Sequence, residues 1–389
     1  MFGRSRNGLI YLILTLAIVT TILYFQDDTA TKADEIFKRY SRLIANQTSG
    51  LDVRISEIDI SPQSTAETYA ELPLILFWTD RYYSKPQYNV AKFAFSLQCE
   101  WKCRYTNDKS KWNESHSVVI REQFPSGEYP AKASAEQRVM ILLPEAPGRE
   151  PVQRGLAKIP KNYMNMTVGY MRSMDIFKPY DAMIKQKTTT KQWEEIVKRL
   201  QSKSKGAFIV YSHCNADSER EKYIAELQKY FPLDTFGKCG DGRCDKKCME
   251  QNIKDYHFYI AFENNICEDY ITEKFYRSIK KLILPLVLND SIYRDLVPKN
   301  SYIAVDSFKT ISELAEYLQF LMDNNEAYLQ HFEWAREYSL NSPALFTRSY
   351  CEICRNAHDK NFHRVYEDIA DWFGPKRCDN SLVSRLLNS

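Results

Sequence analysis

Glycine is scarce in this chain, with 12 residues among 389, whereas average usage of about 7% predicts roughly 27. Neither G-x-G-x-x-G nor G-x-x-x-x-G-K-S/T occurs, so the dinucleotide-binding fingerprint and the Walker P-loop are both absent. No long basic run occurs either, and the 53 Lys and Arg residues nearly balance the 50 Asp and Glu residues. These absences exclude a typical nucleic-acid-binding protein, and any phosphate bound here must be held by side chains and helix ends.

A single long apolar run lies near the N-terminus, where residues 8–25 carry no charge. A helix of that length spans about 27 Å, close to the thickness of the hydrocarbon core of a bilayer. Because Arg4 and Arg6 precede the run and acidic residues follow it, the positive-inside rule predicts a cytoplasmic tail at residues 1–7. We therefore predict a transmembrane signal-anchor at residues 8–25, with a cleaved signal peptide as the alternative.

All ten cysteines follow this apolar run, which in an oxidising compartment favours disulfides but does not fix their pairing. Four N-x-S/T acceptors, usable only on the lumenal side, agree with this topology and lie at Asn46, Asn113, Asn165 and Asn289. A zinc site is the alternative for Cys351-x-x-Cys354, because His358 and His363 follow it. Zinc fingers place the histidines about 12–15 residues beyond the CxxC, and the much shorter gap here favours disulfides.

The order of apolar and helical segments predicts an α/β protein. Apolar runs at residues 72–78, 117–121 and 138–143 predict buried strands. From residue 206 onward, strand and helix patterns alternate, which predicts a parallel, doubly wound sheet with a strand at residues 206–212. We accordingly divide the chain after the anchor into a stem, a first domain, a second domain and a C-terminal segment, at residues 26–70, 71–205, 206–345 and 346–389.

The segment most informative about chemistry is residues 258–274, FYIAFENNICEDYITEK. A buried strand runs into Glu263, a short loop follows, and a helix begins with Thr272 as its N-cap. Open α/β sheets bind phosphate at strand ends and helix N-termini, and Lys274 adds a cation there, while Glu263 and Glu273 are suited to sugar hydroxyls. The same residues equally fit a structural role, since Glu273 would complement the helix dipole and Lys274 would be a solvated surface charge.

Four motifs, in the same order, resemble those of the α1,3/1,4-fucosyltransferases. They are YMNMTVGYMRSMDIFKPY at residues 163–180, SHCNADSER at 212–220, FEN followed by DYITEK at 262–274, and CEIC at 351–354. The resemblance covers most of residues 72–372. It implies a single-pass type II Golgi membrane protein with two Rossmann-like domains facing a cleft (the GT-B arrangement). The first domain would then face the acceptor, the second would bind GDP-fucose, and the C-terminal segment would pack back on the first.

The resemblance also implies roles for individual residues. The positions that match those binding GDP-fucose are Arg220, Asn264, Tyr270, Glu273 and Lys274. Glu145, in Pro144-Glu145-Ala146-Pro147, matches the proposed catalytic base of a Glu-Ser-Pro element. The implied reaction transfers L-fucose from GDP-β-L-fucose in α1,3 linkage with inversion. It needs one base on the acceptor hydroxyl and charge relief on the leaving diphosphate.

The resemblance further implies how the cysteines, sequons and metals are used. Cys99 and Cys103 would pair with Cys351 and Cys354. The lumenal topology predicts glycans on some of Asn46, Asn113 and Asn165. Asn289 stands where the family has the glycine that ends a strand, and if it abuts the donor a glycan would block the cleft, so we predict that this sequon is unused. Many lumenal transferases hold Mn²⁺ with Asp-x-Asp, which occurs nowhere in this chain. We therefore expect no required cofactor and no metal ligands, with stimulation by Mn²⁺ or Mg²⁺ left open.

The expected partners are GDP-fucose, a glycan acceptor on glycoproteins and the Golgi membrane. The acceptor would be a GlcNAc of the N-glycan core or of a lactosamine-type chain, and the additional cysteines at 214, 239 and 267, similar to those of invertebrate and plant members, favour the core. His213, Ser278 and Asn289 stand where the family has Asn, Asn and Gly, which keeps a catalytically weak glycan-binding protein as an alternative. Another nucleotide-sugar transferase is a further alternative, while the Gly/Ser/Thr-rich loop of a sulfotransferase is absent.

Overall fold

Apolar segments of the first half of the chain form a six-stranded sheet. The computed structural model describes residues 71–78, 99–121, 129–340, 342–359 and 361–388. The strands of the first sheet are β1 (Leu74–Phe77), β2 (Arg104–Thr106), β3 (Ser117–Arg121), β4 (Arg138–Leu143), β5 (Met166–Gly169) and β6 (Ile176–Phe177). Their order is β2-β1-β3-β4-β5-β6, and every neighbouring pair is parallel.

A second parallel sheet follows in the sequence. The later strands are β7 (Met183–Lys185), β8 (Lys205–Val210), β9 (Leu233–Phe236), β10 (Tyr256–Ile260), β11 (Leu284–Val287), β12 (Ile303–Ala304) and β13 (Tyr338–Leu340). The second sheet has the order β12-β11-β10-β8-β9, again with all pairs parallel. β7 and β13 form a separate antiparallel pair, so a strand that precedes the second sheet meets one that follows it.

Helices connect and cover these sheets. The described α-helices are α1 (Glu150–Leu156), α2 (Thr190–Gln201), α3 (Arg220–Leu227), α4 (Lys246–Asp255), α5 (Glu273–Lys281), α6 (Asp290–Tyr293), α7 (Ile311–Asp323), α8 (Asn325–Gln330), α9 (Ser342–His358), α10 (Ile369–Trp372) and α11 (Leu382–Leu387). Short 3₁₀ helices lie at Lys109–Glu114, Lys299–Ser301, Val305–Ser307, Glu333–Arg336 and Pro375–Arg377. None of these described helices is long and apolar enough to cross a membrane. The predicted anchor and stem lie outside the described residues.

Both faces of the first sheet are buried, which explains why its strands read as continuous apolar runs. Along β4, Val139 and Ile141 belong to one apolar cluster, whereas Met140 between them belongs to another. The second sheet has its own cluster, in which Phe208 of β8 packs together with Phe275 of α5. Each sheet is therefore the centre of its own hydrophobic core.

Several elements occur where the sequence predicts them. The strands predicted at residues 117–121 and 138–143 are confirmed as β3 and β4 with the same bounds, and the parallel sheet predicted after residue 206 is confirmed by β8–β12. The strand predicted at residues 206–212 is β8, which ends two residues earlier, at Val210. Tyr211 and Ser212 therefore leave the sheet, and both contribute to the cleft described below.

The C-terminal segment is joined to the first sheet by two disulfides. Cys99 bonds to Cys351 and Cys103 bonds to Cys354, which is the pairing that the resemblance implies. Cys354 and its neighbours in α9 lie in the apolar cluster that contains Ile75 of β1. The zinc alternative for this CxxC is wrong, because both of its cysteines are oxidised and cannot serve as thiolate ligands to a metal beside His358.

Three further disulfides lie in the second half of the chain. They are Cys214–Cys239, Cys244–Cys248 and Cys267–Cys378. No cysteine remains free in the part of the chain that the structure describes. Sequence reasoning alone left these pairs open, and two of them prove to border the functional cleft.

Cys99–Cys351 and Cys103–Cys354 close almost the same chain loop, with sequence separations of 252 and 251. Removing one pair by Cys→Ser substitution leaves the loop closed by the other, so we expect a loss of about 2–3 kcal/mol of unfolding free energy. Removing both opens the long loop and should cost about 5 kcal/mol more. Denaturant unfolding of the detergent-solubilised chain measures both losses. A second removal that costs no more than the first would contradict this account.

Candidate active site

A cleft of about 390 Å³ lies at the carboxyl ends of β8 and β10, beside the N-terminus of α5. Its charged and aromatic lining consists of Glu145, Arg149, Tyr180, Tyr211, His213, Arg220, Tyr259, Phe262, Tyr270, Glu273, Lys274 and Arg277. Asn264 also lines it, so the fold brings all six predicted catalytic and donor-binding residues to one cleft. The carboxyl ends of parallel strands are the usual ligand-binding edge of an open α/β sheet.

Glu263 organises the N-terminus of α5 from below the cleft. Its carboxylate is 5% exposed and is absent from the lining, so it is not available to a sugar, contrary to one of our sequence-based expectations. Instead its Oε1 accepts hydrogen bonds from the Thr272 amide at 2.8 Å and the Thr272 hydroxyl at 2.7 Å. Its Oε2 accepts from Lys274 Nζ at 2.8 Å. One buried carboxylate thus fixes both the N-cap and the cation of the first turn.

Lys274 is held in its charged form. Its ammonium also donates to the Thr272 hydroxyl at 2.8 Å and lies 3.4 Å from Glu273 Oε1. Burial by itself would lower the pKa of Lys274, but the carboxylates of Glu263 and Glu273 outweigh burial and raise it above the ordinary value. The amides of Thr272 and Lys274 are already bonded to side chains within this group. The ammonium is therefore the principal anion-binding group that this helix end presents to the cleft.

Arg220 begins α3 and is almost entirely buried, with 2% of its surface exposed. Its Nη1 donates to the carbonyl of Phe262 at 2.8 Å, and its Nη2 donates to the carbonyl of His213 at 3.0 Å. The guanidinium centre lies 5.7 Å from the ring centroid of Tyr211. Its Nε lies 3.4 Å from Glu221 Oε1. Two backbone carbonyls, one carboxylate and one ring therefore fix the orientation of this cation at the cleft, and the remaining N–H group on each Nη atom is available to an anion.

A cluster of three tyrosine rings lies between the two sheets. The ring centroid of Tyr270 lies 5.1 Å from that of Tyr170 and 6.4 Å from that of Tyr180. Burial, with the nearby Tyr180 and Glu263, raises the pKa of Tyr270, so its phenol stays protonated. That hydroxyl donates to Asn264 Oδ1 at 3.4 Å. Tyr270 and Asn264 are thus preorganised on one side of the cleft.

The loop between Asn264 and Tyr270 is tied to other parts of the chain. Cys267 in this loop is bonded to Cys378 near the C-terminus. Asp269 has a positive φ of 55° and accepts hydrogen bonds from the guanidinium and amide of Arg172, which follows β5. These two attachments hold the loop against the first sheet as well as the second.

Glu145 follows β4 and faces the cleft from the first sheet. Its Oε2 accepts a hydrogen bond from Arg149 Nη1 at 2.7 Å, and both side chains are about 30% exposed. The Tyr180 hydroxyl donates to the carbonyl of Pro144, which fixes the backbone beside Glu145. The carboxylate is thus oriented by an arginine four residues later in the chain and remains open to solvent in the cleft.

Sequence reasoning missed Arg149 and Arg277, which both line the cleft. Arg277 lies three residues after Lys274 on α5, so helical spacing places it on the same face and could have indicated it. For Arg149 the signal was its position four residues after Glu145. Asn289, in contrast, is not among the lining residues, so it does not abut the cleft as expected. Its oxygen instead caps α6 by accepting from the Ser291 amide.

The predicted glycan acceptors differ in their surroundings. Asn113 is exposed, and Asn46 lies outside the described residues. Asn165 is 8% exposed, and its Oδ1 accepts from Lys132 Nζ at 2.8 Å and from the Val139 amide at 3.0 Å. Its Nδ2, the atom that a glycan would occupy, donates to the carbonyl of Arg364 at 3.1 Å. A glycan on Asn165 would have to be accommodated within this network.

Comparison with known proteins matches the two halves of the chain separately. The model described as "Fucosyltransferase, N-terminal" matches residues 70–181, and the one described as "Glycosyltransferase family 10 (fucosyltransferase) C-term" matches residues 200–372. The chain is also 32% identical over 303 residues to alpha-(1,3)-fucosyltransferase fut-1 of Caenorhabditis elegans, covering 74% of this chain and 68% of that enzyme. The chain belongs to glycosyltransferase family 10, the fucosyltransferases.

Other members of the family are similar to comparable degrees. Glycoprotein 3-alpha-L-fucosyltransferase A of Drosophila melanogaster is 31% identical over 71% of this chain and 55% of its own length. Human 4-galactosyl-N-acetylglucosaminide 3-alpha-L-fucosyltransferase 9 is 29% identical over 80% of this chain and 84% of its own length. A crystal structure of an alpha1,3-fucosyltransferase with GDP superposes with a TM-score of 0.50 at 15% identity, covering 79% of this chain and 95% of that one. This last likeness concerns the fold.

In this fucosyltransferase, the contribution of the Glu263–Lys274 ion pair to stability can be measured separately from the role of Lys274 in binding. Lys274→Met leaves the Glu263 carboxylate buried without its cation, which should cost about 3 kcal/mol of unfolding free energy. Adding Glu263→Gln removes the buried charge, so the double variant should recover most of that loss. Exposed Lys280 on the same helix supplies the control, Lys280→Met, expected within about 0.5 kcal/mol of the wild type. Denaturant unfolding decides, and a double variant no more stable than Lys274→Met would contradict the pairing.

Proposed function

We propose that this chain transfers L-fucose from GDP-β-L-fucose, in α1,3 linkage and with inversion, to a GlcNAc residue of glycoprotein glycans. The observation that carries the proposal is the composition of one cleft. A solvent-accessible carboxylate, Glu145, lies on the side of the first sheet, and two oriented cations, Arg220 and Lys274, lie on the side of the second. This is the arrangement that a displacement with an anionic leaving group requires.

The proposed reaction is a direct displacement. Glu145 removes the proton from the acceptor hydroxyl as its oxygen forms a bond to the anomeric carbon. The bond between that carbon and the diphosphate oxygen breaks, and GDP leaves with the electron pair. Lys274 and Arg220 stabilise the charge that grows on the diphosphate, and fixed cations do so without further reorganisation. The rings and hydroxyls of the donor would be contacted by three further side chains, those of Tyr270, Asn264 and Glu273.

A displacement of this kind needs Glu145 free to accept a proton. Arg149 now holds the carboxylate at 2.7 Å, and an ion pair that is about 30% exposed is a modest interaction. The acceptor hydroxyl therefore has to compete with Arg149 for one carboxylate oxygen, while the other stays oriented. The pair would keep the base in place between turnovers.

The acceptor is proposed from the names of the relatives and from the cysteine pattern. The human relative is named for a galactosyl-GlcNAc acceptor and the fly relative for a glycoprotein. The cysteines at 214, 239 and 267 all form disulfides. These cysteines are similar to those of invertebrate and plant members of the family, and this similarity favours the N-glycan core as the acceptor. We propose the core GlcNAc as the principal acceptor and lactosamine as the second.

We propose that two Rossmann-like domains, residues 71–205 and 206–345, face the cleft in a GT-B arrangement. We also propose a single-pass type II Golgi protein, anchored by residues 8–25 with the catalytic part in the lumen. The uncharged run behind Arg4 and Arg6 supports the anchor, and the number of disulfides suits an oxidising lumen.

The proposed orientation can be tested in intact microsomes, where the C-terminus should resist added protease until detergent is present. Digestion without detergent would overturn the orientation.

Fucose transfer itself is tested with the full-length chain in detergent, radiolabelled GDP-fucose and a panel of N-glycan core, lactosamine and simple GlcNAc acceptors. One series of reactions contains EDTA, because we propose that no metal is required, and a second series without EDTA contains Mn²⁺ or Mg²⁺ to test for stimulation. Glycan binding without transfer would identify the catalytically weak binding protein instead. Transfer from a different nucleotide sugar would identify another transferase.

Glu145→Gln keeps the shape of the side chain and removes the base, so kcat should fall by about 10²–10⁴-fold with little change in GDP affinity. Glu150→Gln is the matched control, since Glu150 is an exposed glutamate that pairs with Arg154 outside the cleft. Initial rates and calorimetry with GDP provide both readouts. If Glu145→Gln kept more than about a third of the wild-type turnover, another carboxylate would be the base.

A further inference from the structure

The cleft wall that follows β8 is attached at both of its ends to one neighbouring segment. Tyr211, Ser212 and His213 all line the cleft. The Tyr211 amide donates to the carbonyl of Phe236 at 2.9 Å, and the amide of Cys239 donates to the carbonyl of Tyr211 at 3.3 Å. The residue after His213 is Cys214, which is bonded to Cys239. The wall of three residues is thus held by backbone hydrogen bonds on one side and by a disulfide on the other.

Gly237 shows how closely the two segments approach. Its φ is +99°, a conformation that other residues rarely adopt, and a Cβ atom there would lie 2.2 Å from the Tyr211 carbonyl oxygen. Its amide donates to the carbonyl of Gly242 at 2.8 Å, which closes the loop beyond β9. The contact between the segment after β9 and the cleft wall therefore depends on a glycine as well as on the disulfide.

The same wall orients a cation of the proposed donor site. The His213 carbonyl accepts from Arg220 Nη2 at 3.0 Å, and the Tyr211 ring lies 5.7 Å below the guanidinium. Elsewhere in the described part of the chain, Nη1 of Arg220 donates to the Phe262 carbonyl beyond β10, and Nε lies 3.4 Å from Glu221 Oε1 in α3 itself. A displacement of residues 211–213 would remove one of the two carbonyls that fix the buried guanidinium.

We propose that the Cys214–Cys239 disulfide is a positioning element of the donor site. It holds the cleft wall against the segment after β9 and thereby keeps the His213 carbonyl where it orients Arg220 toward the diphosphate. The inference rests on the proposed function, because it takes the ligand of Arg220 to be a nucleoside diphosphate. It assigns to this disulfide an effect on donor affinity beyond its contribution to folding.

The chain offers a matched control in the same region. Cys244–Cys248 joins residues only four apart, and its two sulfurs contact the amide of Asn252 at 3.8 and 3.6 Å. Neither cysteine lines the cleft. Removing this disulfide leaves the Tyr211–His213 wall and Arg220 untouched.

The experiment compares Cys214→Ser/Cys239→Ser with Cys244→Ser/Cys248→Ser in the full-length chain, using calorimetry with GDP and initial rates with GDP-fucose. The first variant should bind GDP about tenfold more weakly and raise the donor KM to match, as expected for the loss of one orienting hydrogen bond to a cation. The control should stay within about twofold of the wild type, the range expected when no contact to the site changes. Acceptor KM should be unchanged in both variants.

Gly237→Ala provides a second, independent variant that keeps every disulfide. It should also weaken GDP binding, because the added Cβ displaces the Tyr211 carbonyl, and it remains informative if the cysteine variant does not fold. Wild-type GDP affinity in the folded cysteine variant, or an equal loss in the Cys244–Cys248 control, would overturn the inference. If the cysteine variant does not fold, wild-type GDP affinity in Gly237→Ala would overturn it. A wild-type chain that binds no GDP would overturn the proposed function instead, so the two failures are distinguishable.

Discussion

The buried carboxylate of Glu263 determines the structure of the cleft on the side of the second sheet, because its hydrogen bonds fix the first turn of α5, which lines it. A charge at 5% exposure is costly unless it is paired, and it finds its partners at the start of the next helix, in Thr272 and Lys274. The end of β10 and the start of α5 are thereby joined through side chains as well as through the loop between them. Because Lys274 is bound on its inner side, its charge faces the cleft in a fixed direction, which is the property a diphosphate site requires.

The cleft as a whole combines paired and preoriented charges. Glu145 is held by Arg149, Lys274 by Glu263, and Arg220 by two backbone carbonyls. Each group is ordered before a ligand arrives, so a donor would not bear the entropic cost of arranging them. The base proposed here, Glu145, lies on the side of the first sheet, and Lys274 and Arg220 lie on the side of the second. The ion pair between Asp269 and Arg172 also joins the two halves.

The sequence was sufficient where a local rule governs the structure. β3 and β4 are buried on both faces and therefore appear as unbroken apolar runs, and α5 begins at a threonine whose hydroxyl caps it. The role of Glu263 could not be predicted, because a glutamate after a strand fits a ligand-binding and a buried structural role equally well. The Cys214–Cys239 pairing was likewise open, since spacing does not determine connectivity. Resemblance supplied the six cleft residues, but only the fold shows which partner orients each of them.

The Cys267–Cys378 bond affects the order in which the site can be completed during biosynthesis. The loop that carries Asn264 and Tyr270 contains Cys267, which is synthesised 111 residues before its covalent partner, Cys378. The Asp379 amide and the Asn380 side chain also bond to Ile266 in this loop. This covalent attachment of the loop therefore cannot form until Cys378 has been synthesised. A product truncated before Cys378 would contain Cys267 without its partner, and the loop with Asn264 and Tyr270 would lack its covalent attachment.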